Sequence, residues 1–180
     1  DSRLMFIDKT LTEYKNLVTK FPYFNNFDND KEFVLNGKIL KPFSVIWEKI
    51  EKFLLDCFAK DFYFIHGDFC FSNILYGVNN QNNDVILKYI DPRGIFGERK
   101  FYGDMYYDLA KISHSCNGGY EYFIYDKFRI EGEGNRYDLY FDNLNKTKVY
   151  DTFRTFLGEY DELKISALEG LIFIGMCARH

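Results

Sequence analysis

The fold class expected from the sequence is α+β, mostly helical with short β-hairpins. Helical periodicity covers more of the chain than strand alternation, and the short apolar runs come in pairs around turn residues. The clearest helix is 43–59, where Phe43, Ile46, Trp47, Ile50, Phe53, Leu54 and Cys57 recur at i, i+3, i+4, i+7. The clearest hairpin is 32–40, where Asn36-Gly37 separates two apolar runs and both residues tolerate the positive φ of a tight turn. The 180 residues are 47% hydrophobic, enough for one sizeable core and against general disorder. No linker divides them, so a single domain over 1–180 is expected. It has an N-terminal helix and hairpin (1–42), a central segment (43–115) and a hairpin with helices (116–180).

The remaining elements follow in order. Residues 10–20 carry apolar or aromatic side chains at Leu11, Tyr14, Leu17 and Val18, a helix that Phe21-Pro22 ends. Residues 25–31 are Asn/Asp-rich and read as a loop. A short buried strand is expected at 62–65. Strands at 73–76 and 85–90 flank a polar, Asn-rich turn and form a hairpin. Residues 105–115 fit a helix, with Asp104 as N-cap and Gly118-Gly119 as its stop. Residues 120–129 and 137–141 read as a hairpin around 131–136. Two amphipathic helices, 144–157 and 161–178, meet at Gly158.

Composition narrows the function classes. Acidic residues number 27 against 23 basic ones, a formal net charge of −4, which argues against a nucleic-acid binder. Phe, Tyr and Trp make up 20% of residues, so the core should be built largely from aromatic rings. The four cysteines, Cys57, Cys70, Cys116 and Cys177, have neither CxxC nor zinc-ligand spacing. They read as reduced thiols of a cytoplasmic protein. No apolar run reaches the ~20 residues of a membrane span, so no membrane partner is expected. The chain starts at Asp1 rather than Met and has no signal peptide, as expected of a segment of a longer polypeptide.

One stretch carries chemistry. Phe64-Ile-His66-Gly67-Asp68 joins an apolar run to a turn, and Asn73 follows five residues after the Asp. After a hairpin-sized gap, a second apolar run ends in Ile90-Asp91-Pro92-Arg93. This layout suits phosphoryl transfer, which demands positioning and charge neutralisation more than covalent help. Asp68 in a turn can accept the proton of a substrate hydroxyl. Asn73 and Asp91 supply hard oxygen ligands of the kind Mg²⁺ prefers. Adjacent strands would bring these two to the same end of a small sheet. Each residue alone reads more readily as a turn residue; the order and spacing together favour a site.

These residues resemble the aminoglycoside phosphotransferase and choline kinase-like family. His66-Gly67-Asp68 with Asn73 is similar to its catalytic loop, and Ile90-Asp91-Pro92 to its second motif. Tyr102-Gly-Asp104-Met-Tyr-Tyr-Asp108-Leu-Ala-Lys111 looks like its Gly-Asp-Pro-x-Tyr-Asp-Leu-Ala element. The three blocks cover about residues 64 to 111. The resemblance implies a protein kinase-like C-lobe with hairpins around the catalytic loop. It implies Asp68 as catalytic base or substrate-orienting carboxylate and Asn73 and Asp91 as Mg²⁺ ligands. It further implies His66 as a loop-shaping residue, Asp104 as a helix cap and Asp108 as a pin for the loop. Around 90–97 the sequence looks closer to phosphotransferase-like proteins of surface-polysaccharide or sugar-nucleotide pathways than to resistance kinases.

A nucleotide-binding N-lobe is not recognisable. Gly37 is the only glycine before Gly67, which leaves no Gly-rich phosphate loop, and no strand lysine stands out. Gly132-Glu-Gly134 reads as a hairpin turn. Arg93 offers a fork of donors suited to phosphate or substrate, or to a salt bridge with a nearby acid. His114 reads as a packed or surface helix histidine, and Asn145-Lys-Thr147 as an unmodified sequon.

The expected activity is transfer of the γ-phosphoryl group of ATP or GTP to a hydroxyl of a small metabolite, of sugar or amino-alcohol type, with Mg²⁺. The isolated chain would then be incomplete as a catalyst. The alternative is a catalytically inactive binding module in contact with a further domain on the same polypeptide.

Overall fold

In the computed structural model, residues 1–24, 32–142 and 146–177 are described. The loop expected at 25–31, Asn145 of the sequon and the expected helix end at 178 lie outside them. About 50% of the chain is helix and 21% is strand, in small sheets, so the fold is α+β.

A π-helical turn, Leu4–Asp8, buries Phe6 and Ile7 and leads directly into α1 (Lys9–Lys20). Strands β1 (Phe33–Leu35) and β2 (Lys38–Leu40) form the Asn36-Gly37 hairpin, with φ of 49° and 72° at the two turn residues. Helix α2 (Phe43–Asp56) starts after Pro42 and buries Trp47 and Leu54. Next come β3 (Tyr63–Phe64), β4 (Ile74–Val78), β5 (Val85–Tyr89) and β6 (Tyr102–Gly103). Helix α3 (Met105–Cys116) and short α4 (Tyr120–Ile124) precede β7 (Phe128–Glu133) and β8 (Arg136–Phe141). The chain closes with α5 (Lys146–Leu157) and α6 (Glu162–Cys177).

Three expectations need correction. Residues 120–124 are helical rather than strand. Gly119 adopts φ 75° and starts α4, and Glu121 then accepts a hydrogen bond from Ser115 Oγ (2.8 Å). That contact and the packing of Phe123 on Phe173 (6.3 Å) override the β preference of the aromatic run. The strand near 62–65 is not buried. Ile65 is covered, but Phe64 is 74% exposed in the two-stranded pair β3–β6. Finally, α6 is not amphipathic. It packs against both α1 and α3 and buries Lys164, Ile165, Leu168, Glu169 and Leu171, as a helix apolar on most sides must.

The two outer hairpins merge into one four-stranded sheet of order β2-β1-β8-β7. Parallel pairing of Val34 with Arg136 and Leu35 with Tyr137 joins them. Asn36 seals the join, because its Oδ1 accepts from Leu139 N at 2.7 Å. The core lies between the π-helical turn, α2, α3 and α6, around Phe6, Trp47, Leu54, Phe96, Tyr107 and Leu168. Phe6, Phe96 and Tyr107 form a triad with centroids 5.6–6.1 Å apart, two contacts being edge-to-face. One face of this triad backs the candidate site.

Candidate active site

The stretch from His66 to Asn73 crosses from β3 to β4 over the flank of α3, and α3 holds it there. Asp104 starts α3 by accepting from Tyr106 N (3.0 Å). One turn on, Asp108 accepts from two consecutive loop amides, His66 N at 2.7 Å and Gly67 N at 2.8 Å. Burial pushes the Asp108 carboxyl above its ordinary range, an effect the two amide hydrogen bonds oppose. At the far end of α3, Ser115 Oγ accepts from Phe71 N (3.1 Å).

Gly67 is required where it stands. Its φ is +77°, and a Cβ there would come within 2.8 Å of Arg93 Cβ. The His66 ring locks the loop from within. Nδ1 accepts from Asp68 N (3.3 Å) and Nε2 lies 2.9 Å from Ile90 O. One tautomer satisfies both contacts, with the proton on Nε2. His66 therefore fixes backbone geometry through both ring nitrogens.

Asn73 and Asp91 come together at one end of the β4–β5 hairpin. The antiparallel register pairs Ile74 with Tyr89, and Ile90 N donates to Asn73 O at 3.0 Å, which places Asp91 beside Asn73. Asn73 Nδ2 donates to Asp68 O (2.8 Å), so its Oδ1 is left as an acceptor. Asp91 has φ 55°, a strained value for a non-glycine residue, and its carboxylate has no partner among the described residues.

Asp68, Asn73, Asp91 and Arg93 all line one cavity of about 460 Å³. Its opposite wall comes from the π-helical turn, α1 and α6, through Phe6, Lys9, Leu168 and Ile172. Within it, Lys111 Nζ sits 2.7 Å from Asp68 Oδ1. The Lys111 side chain is 12% exposed and that of Asp68 40%, so the lysine is the enclosed member of the pair. Arg93 donates to Tyr107 Oη through Nη1 (2.6 Å).

Sequence reasoning assigned roles to seven residues here, and all of them contribute to the loop, the cavity or α3. It missed Lys111 and Tyr107. The available signal was helical spacing: Tyr107 and Lys111 are four apart and share the face of α3 that meets the loop. It also missed Lys164, whose Nζ lies 2.8 Å from Asp104 Oδ2 with both side chains almost fully buried.

Among the described residues, no group of three or more His, Cys, Asp or Glu side chains is gathered as a metal cluster. Among the described residues, no helix is long and apolar enough to cross a membrane. No family model, curated protein or solved structure matches the chain.

Proposed function

We propose that this chain carries the acceptor and metal side of a phosphotransferase site. It moves the γ-phosphoryl group of ATP or GTP to the hydroxyl of a small metabolite. The supporting observation is the convergence of Asp68, Asn73 and Asp91 on one cavity, with Asp68 held by an enclosed lysine. Three segments of the sequence supply those groups, and the packing of α3 holds the loop that orders them.

In this reading the acceptor hydroxyl hydrogen-bonds Asp68 Oδ2, because Oδ1 is engaged by Lys111. The hydroxyl oxygen attacks the γ-phosphorus, a new P–O bond forms, and the β–γ bridging P–O bond breaks to release the nucleoside diphosphate. The hydroxyl proton passes to the Asp68 carboxylate. Lys111 supplies positive charge beside the transferring group. Asn73 Oδ1 and the unpartnered Asp91 carboxylate suit Mg²⁺, which takes few protein ligands and completes its shell with water and phosphate oxygens. Held by these two residues, Mg²⁺ would supply positive charge against the phosphate oxygens. Asp108, His66 and Gly67 act on none of these atoms; they fix the backbone that carries Asp68.

The test is Asp68→Asn in the full-length protein, assayed for nucleotide turnover with candidate hydroxyl acceptors. A positioned base contributes about 10²–10⁴-fold, so a loss of that size is expected. An unchanged rate refutes the assignment.

A second reading, a non-catalytic module docked to another domain, has one observation in its favour. The β4–β5 hairpin carries Leu75, Tyr76, Val85, Ile86, Leu87 and Tyr89, each between 46% and 69% exposed. Tyr76, Val85, Leu87 and Tyr89 share one face of it, and an exposed apolar face is a feature of contact sites. The two readings are compatible if the other domain brings the nucleotide.

A further inference from the structure

The cations of the cavity are not equivalent. Lys111 is engaged by Asp68. Lys9 also has an interaction of its own. Arg93 has one hydrogen bond, from Nη1 to the neutral hydroxyl of Tyr107, and no carboxylate partner among the described residues. A guanidinium has five N–H donors in a rigid fork, so most of its capacity is left over. Half-buried cations without an acidic partner are costly to keep, which makes a missing anion the natural complement.

The position of Arg93 is fixed from both ends. Its backbone N–H donates to His66 O (2.8 Å), and its Cβ fills the space that Gly67 leaves open. Its guanidinium carbon stands 5.9 Å from the centroid of the Tyr107 ring, and that ring stacks on Phe6 at 6.1 Å. The fork thus stands beside Tyr107, which lines the cavity together with Phe6 and Leu168. Asn73 and Asp91, which flank the β4–β5 hairpin, and Asp68 line the same cavity.

We infer that Arg93 is an anion subsite, and that it holds the phosphate or carboxylate of an acidic hydroxyl acceptor. The acceptor class is then a small hydroxy compound bearing an acid group, not a neutral sugar or an amino alcohol. Assigning the anion to the acceptor rests on the phosphotransferase reading; the anion subsite itself does not. The cavity volume of about 460 Å³ suits a small metabolite. Fork geometry matches the paired oxygens of phosphate and carboxylate, which gives orientation as well as attraction.

The full-length protein is titrated calorimetrically with inorganic phosphate, glycerol 3-phosphate and, as the neutral control, glycerol, without nucleotide or Mg²⁺. Both anions should bind and glycerol should not. Arg93→Met should weaken anion binding by about tenfold or more, and Arg93→Lys should retain part of it, because a lysine is a point charge without the fork. Circular dichroism of each variant establishes that it is folded, and Arg93→Lys keeps the test meaningful if Arg93→Met is not. Anion binding unchanged in both variants, or no anion binding by the folded wild type, overturns the subsite. A fall in Mg-ATP affinity with anion affinity intact would place Arg93 on the donor and overturn the acceptor assignment. Turnover unaffected by Asp68→Asn would refute phosphotransfer while leaving the anion titrations to stand or fall on their own.

Discussion

His114 is fully buried, between the Tyr120 ring at 4.6 Å and the Phe173 ring at 4.2 Å, and neither of its ring nitrogens has a hydrogen-bond partner among the described residues. Burial, aided by the Lys111 charge and opposed by Asp68, lowers its pKa from 6.5 to about 3. The sign follows directly. The folded ring stays neutral down to about pH 3, whereas the unfolded ring takes a proton near 6.5. Stability from this group is complete above 6.5 and is lost as pH falls through that window, by up to about 1.4 kcal/mol per pH unit. Urea unfolding between pH 6.5 and 5 should show this slope in the wild type and a flatter one in His114→Leu. Equal slopes would contradict it. The sequence left the histidine as either packed or on the helix surface; its full burial and its lack of partners were not legible. That depends on which rings arrive from α4 and α6. Lys111 was hidden for the same reason: a lysine on a helix face reads as solvated until a loop 43 residues earlier delivers Asp68 to it.

The elements were legible where their own side chains decide them. Asn36-Gly37 makes its hairpin by local backbone preference, and α2 forms on the apolar stripe that marks it. The parallel pairing of β1 with β8 was not legible, because it joins Val34 to Arg136 and no local pattern encodes a partner that distant. Residues 120–124 were misread because a short aromatic run serves strand and helix equally, and tertiary contacts chose the helix. At this scale α3 is the organising element, and its start depends on one buried pair. Asp104 caps the helix with one carboxylate oxygen and binds Lys164 of α6 with the other, and Lys164 also lies 4.1 Å from the Tyr106 ring centroid. Removing one member leaves a buried charge, so Lys164→Met should cost about 3–5 kcal/mol in denaturant unfolding. Adding Asp104→Asn should recover part of that loss, since the uncompensated charge goes with it. A double variant weaker than Lys164→Met by the full cost of a second substitution would show that the two side chains are energetically independent.

Across the whole molecule, the His66–Asn73 loop, the β4–β5 hairpin and the α1–α6 wall meet around one cavity, and α3 ties them to the aromatic core. The order of Asp68, Asn73 and Asp91 was readable in the sequence because each sits in or beside a turn next to a short strand, and the structure brings all three to one cavity. The far wall was not readable, because Phe6 and Leu168 are ordinary core residues until the first and last helices pack side by side. Outside the cavity the β4–β5 hairpin leaves Tyr76, Val85, Leu87 and Tyr89 exposed. The central proposal is that Asn73 and Asp91 hold the Mg²⁺ of a bound nucleoside triphosphate. The most direct measurement is calorimetric titration of the full-length protein with ATP, with Mg²⁺ and with EDTA. Mg²⁺-dependent binding is expected, weakened by about tenfold or more in Asp91→Asn. Binding that is absent, or equal in EDTA and in Asp91→Asn, would contradict the claim.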